Sequence, residues 1–100
     1  MTIETAEQQG KIFHLRWNWE TPAVILREGR ISKLEVGDTL EIVGFYDAGK
    51  HEFADDAAWA LNYIASGLKE QIQEYPDLRA NVYEHTVNLK EGSCRIRRVR

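Results

Sequence analysis

The segment DDAAWALNYIASGLKEQIQEYP (residues 55–76) constrains the fold more than any other part of the chain. Leu61, Ile64, Ala65, Leu68, Ile72 and Tyr75 recur at the three- and four-residue spacing that lines one face of an α-helix. At about 1.5 Å per residue such a helix is about 30 Å long. Asp55 and Asp56 suit its positive N-terminal end. Pro76 marks its stop. Trp59 and Tyr63 lie one turn apart on the flank of the stripe. An amphipathic helix of this length needs a complementary layer, and most of the remaining chain offers strands.

KIFHLRWNW (11–19) alternates with period two, setting Phe13, Leu15, Trp17 and Trp19 on one side and His14, Arg16 and Asn18 on the other. This predicts a strand with an aromatic inner face. VGDTLEIVGFYD (36–47) predicts a strand entered through a Gly37-Asp38 turn, with Leu40 and Ile42 opposite Glu41. A turn around Ala48-Gly49 would follow, closing a hairpin. NVYEHTVNL (81–89) places Tyr83, His85, Val87 and Leu89 on one side. After a turn at Gly92, CRIRRVR forms a last strand with Cys94 and Ile96 facing in.

Residues 20–34 admit two readings. Thr21 can cap a helix with Pro22 in its first position, running to about Leu34 with Gly29 as its weak point. Alternatively AVIL and RIS are strands joined by a turn at REG. Capping favours the helix. The resulting expectation is an α+β two-layer sandwich, with a four-stranded mixed or antiparallel sheet covered on one face by one or two helices. Residues 1–10 are expected to form a flexible leader, and 11–100 a single domain.

Segments of this chain resemble the sulfur-carrier family typified by TusA and SirA. Thr21-Pro22 followed by AVIL stands where that family begins its first helix with Cys-Pro-x-Pro. Leu34, Gly37, Asp38, Leu40, Glu41 and Ile42 match its Leu-x-x-Gly-Asp-x-Leu-Glu-Val passage into strand two. Asp56 and Trp59 match the opening of its second helix, and EGSCRIRRVR is similar to its C-terminal strand. The resemblance spans residues 13–100 and implies the same element order. Thr21 replaces the nucleophilic cysteine, Val24 stands where the second proline would fall, and the second helix is longer than the family pattern. A persulfide relay needs a sulfur nucleophile, and a threonine hydroxyl cannot hold a persulfide.

Cys94 is the only cysteine, and its inward-facing strand position reads as a small core hydrophobe. A lone cysteine cannot form an intramolecular disulfide, which points to a reducing compartment and a cytoplasmic protein. His14, His51 and His85 with Glu52, Asp55 and Asp56 are metal-ligand types, but the four-residue spacing of His51 and Asp55 serves only on a helix and His51 reads as preceding it, so no metal and no cofactor is expected. His85 reads as a core or boundary histidine, or as an acid–base group if a carboxylate neighbours it. There is no Ser-His-Asp signature and no phosphate-binding glycine loop.

The net charge of −3 is unevenly placed: Arg95, Arg97, Arg98 and Arg100 put four positive charges in the last six residues, leaving −7 on the rest. An acidic body argues against general nucleic-acid binding, and no apolar run is long enough to span a membrane. The terminal arginines either blunt a sheet edge or, through Arg97, Arg98 and Arg100, meet an acidic partner. The acidic set Asp47, Glu52, Asp55 and Asp56 would suit a basic one. Trp17 and Trp19 read as core under the long helix. In the other reading they join Trp59 and Tyr63 in an exposed patch that anchors a protein partner. The expectation is a small non-catalytic protein that binds a larger one as regulator, adaptor or inhibitor. A TusA-like relay and a His-dependent enzyme are the alternatives. The candidate binding residues are Trp59, Tyr63, Asp55, Asp56, Arg97, Arg98 and Arg100.

Overall fold

The computed structural model describes residues 10–44 and 55–100. The element order is β1 (Ile12–Arg16), α1 (Pro22–Glu28), a 3-10 turn (Ile31–Lys33), β2 (Thr39–Val43), α2 (Asp55–Glu74), α3 (Pro76–Arg79), β3 (Tyr83–Asn88) and β4 (Ser93–Arg98). The strands form one mixed sheet in the order β1-β2-β4-β3. β1 runs parallel to β2, with Phe13 beside Leu40 and Leu15 beside Ile42. The other pairs are antiparallel, with Ile42 opposite Cys94 and Val87 opposite the same Cys94. The parallel pair requires a crossover, and α1 supplies it. The fold is therefore an α+β sandwich with helices on one face of a four-stranded sheet.

Residues 20–34 take the helical reading, in shortened form. Thr21 is the N-cap, its hydroxyl oxygen accepting from Val24 N at 3.4 Å, and Pro22 opens the helix. Gly29 ends it five residues before Leu34, and Arg30 then adopts a left-handed φ of 53°. That reversal turns the chain into the 3-10 turn, which buries Ile31.

The core joins Ile25 and Ile31 to Leu40, Ile42 and Ile96 of the sheet and to Leu61, Ile64, Leu68 and Ile72 of α2. Each such side chain contributes about 1.5–3 kcal/mol by leaving water. Tyr75, predicted as part of the α2 stripe, is exposed and extended. Pro76 excludes the helical region for its predecessor, so α2 ends at Glu74 and the proline starts α3.

The N-terminal strand is shorter than its alternation suggests. Pairing with β2 ends where Trp17 N donates to Val43 O at 2.7 Å. Beyond it the chain turns toward the Thr21 cap, Trp19 takes a left-handed φ of 63° and is 82% exposed. Of the predicted inner face, Leu15 and Trp17 pack against the core. Phe13, on an edge strand, remains 44% exposed.

The Gly37-Asp38 turn ties the sheet together. Gly37 has a φ of 95°, which favours glycine. Asp38 is buried, and its carboxylate accepts from Lys11 N at 2.9 Å and Glu35 N at 3.0 Å. The predicted leader, apart from Gly10, and the predicted 48–49 hairpin lie outside the described residues.

Candidate docking surface

The stripe that buries α2 also determines what it leaves outside. With Leu61, Ile64 and Leu68 against the sheet, residues 59 and 63 turn away from it. Trp59 is 68% exposed and Tyr63 47% exposed. One helical turn apart, their rings stack with centroids 5.3 Å apart and planes 4° from parallel. The pair presents a continuous aromatic surface carrying an indole N–H and a phenol. Asp55 and Asp56 occupy the first turn of α2, just before Trp59; their side chains lie outside the described set, as do Asp47 and Glu52.

Sheet alternation divides the C-terminal arginines between the two faces. Arg95 and Arg97 point to the open face. Arg95 Nε lies 2.6 Å from Glu41 Oε2, and an Arg97 nitrogen lies 3.8 Å from Glu84 Oε2. Arg98 turns the other way, into the body of the protein. It donates to Leu34 O at 2.9 Å and to Asn81 Oδ1 at 3.1 Å, which ties β4 to the segments after the 3-10 turn and α3. Arg100 is exposed, while its main-chain oxygen accepts from Val82 N at 2.8 Å. Arg97, Arg98 and Arg100 thus do not form one patch.

Cys94 and His85, the two residues the sequence offers as reactive, lie in desolvated positions. Cys94 is buried on β4, and burial pushes its thiol up to about 12. His85 is half-buried on the helix-covered face, where desolvation and then the Lys69 charge lower its pKa to about 4. Its charged neighbour is a cation, whereas an acid–base pair would want a carboxylate. Among the described residues no group of three or more His, Cys, Asp or Glu side chains is placed to hold a metal ion. No helix among them is long and apolar enough to cross a membrane.

A second aromatic contact joins the two tryptophans of the N-terminal segment. Trp17 and Trp19 have ring centroids 4.7 Å apart, and the Trp17 indole donates to Glu20 O at 3.0 Å. The alternation was legible, but the turn that swings Trp19 out has no sequence signature.

Fold and surface together define an α+β two-layer protein with an exposed stacked aromatic pair on its long helix. Comparison with protein-family models found no match, and comparisons with curated proteins and with solved structures found none either.

Proposed function

We propose that this is a small non-catalytic binding protein of the cytoplasm that regulates, adapts or inhibits a larger protein by docking the outer face of α2. The Trp59–Tyr63 stack carries this reading. A solvent-exposed pair one turn apart adds only about 0.2–0.5 kcal/mol to a helix. Two large aromatics left in water therefore contribute little to folding, whereas Trp and Tyr dominate the energetics of protein interfaces. Their mutual stacking also fixes both rings before binding, which lowers the entropy lost on association. The lone free thiol of Cys94 is consistent with a reducing compartment.

The alternatives have less support. A sulfur relay would need an accessible thiolate; Thr21 offers a hydroxyl at the start of α1, and Cys94 is buried with a raised pKa. A His85 enzyme would need an imidazole titrating near neutrality, whereas this one is held neutral well below it. The test is affinity capture from the source cells with the tagged protein and with a Trp59→Ala, Tyr63→Ala variant of unchanged melting temperature. One dominant partner, lost from the variant, is the expected result. Equal capture by both proteins, or none by either, would contradict the reading.

A further inference from the structure

β1 lies at the end of the sheet and, among the described residues, has β2 as its only strand neighbour. Lys11 O accepts from Thr39 N and Trp17 N donates to Val43 O, so residues 11, 13, 15 and 17 direct their main-chain groups to β2. Ile12, His14 and Arg16 therefore turn their N–H and C=O groups outward. Beside this edge lies a cleft of about 580 Å³ between β1 and the end of α1. Phe13, Leu15, Leu34 and Leu40 supply its apolar lining, and Arg27, Arg30 and Lys33 its cationic residues, with Glu28 the single acidic lining residue.

We infer that the outer edge of β1 and the adjoining cleft bind an extended acidic peptide segment of a partner protein, which adds to the sheet as a fifth strand. An extended chain satisfies the outward main-chain groups, and its alternate side chains reach the cleft. Five residues of β1 offer about 17 Å of edge, enough for a segment of about five residues. Charge selects the occupant. Lys11 and Arg16 on the edge and Arg27, Arg30 and Lys33 of the cleft are all exposed. A second copy of the chain pairing through β1 would bring two such sets together, and a basic segment would be repelled in the same way. An acidic segment with apolar residues matches both these cations and the Phe13–Leu15 floor.

This site is separate from the α2 surface, and its test is independent of it. A phage-displayed random decapeptide library would be panned against the wild-type protein, and the enriched peptides titrated into ¹⁵N-labelled protein. Enriched sequences should combine acidic and apolar residues and shift the amide signals of Ile12, His14 and Arg16. Proline is tolerated on an edge strand where its missing N–H faces outward, so His14→Pro should keep the fold and weaken binding at least tenfold. Arg27→Glu with Lys33→Glu should do the same, and decides the matter should His14→Pro fail to fold. Trp59→Ala with Tyr63→Ala should leave peptide affinity unchanged. No enrichment, enrichment of neutral or basic peptides, or shifts confined to α2 would overturn the inference.

Discussion

Gly67 sits inside α2, where alanine would ordinarily be the better residue by about 1 kcal/mol. The structure predicts the opposite outcome. A Cβ at position 67 would lie 2.3 Å from Pro22 Cγ and 2.8 Å from Pro22 Cβ, against an ordinary contact of 3.4–4 Å. The proline ring is closed on its own backbone and cannot rotate away. Relief requires α1 to move, and α1 carries the fully buried Ile25. Overpacking of this kind costs about 1–3 kcal/mol, so Gly67→Ala should lose about 0–2 kcal/mol after the helix gain is subtracted. For a domain of this size the melting temperature should fall by about 4–8 °C per kcal/mol. Urea unfolding followed by circular dichroism would measure it, with exposed Ser66→Ala as the control for helix propensity. In a Pro22→Ala background the same substitution should cost at least about 0.5 kcal/mol less, because the nearest clashing atom is gone. A stabilised Gly67→Ala protein, or equal effects in both backgrounds, would refute the reasoning.

Replacing Asp38 by Ala strands the Lys11 and Glu35 N–H groups and should cost about 2–4 kcal/mol in urea unfolding, since each is held by a carboxylate oxygen; Asp38→Asn should cost less. His85 has a folded pKa of about 4 against an ordinary 6.5, so between these values the unfolded chain binds the extra proton. Stability should therefore be fully present above pH 6.5 and be lost as pH falls toward 4, and His85→Leu should flatten that part of a melting-temperature profile. Cys94 should resist iodoacetamide in the native protein at pH 8 and react in 6 M guanidinium, as read by intact mass; rapid native labelling would contradict its burial.

The α2 stripe was readable because each turn repeats the same demand, and Leu61, Ile64, Leu68 and Ile72 are all buried. The inward set of β2 and β4 was readable for the same reason: Leu40, Ile42, Cys94 and Ile96 alternate with charged partners and face the helices. The edge strand was misleading. Alternation in 11–19 places Trp19 inside, but a strand extends only as far as its neighbour pairs with it, and β2 stops at Val43. Helix length in 20–34 was overestimated because Gly29 and the left-handed Arg30 act together, and an arginine in that conformation has no sequence signal. Of the candidate surface, the adjacency of Trp59 and Tyr63 followed from their spacing. The inward turn of Arg98 did not, because it depends on Leu34 and Asn81, distant in sequence.

The most direct test of a docking role for α2 is calorimetric titration of the captured partner with the wild-type protein and with the Trp59→Ala, Tyr63→Ala variant. Interface aromatics of this kind carry about 2–4 kcal/mol each, so the affinity should fall at least about thirtyfold even where a single ring carries the contact, while the melting temperature stays put. Unchanged affinity in a folded variant would place the interface elsewhere and contradict the account.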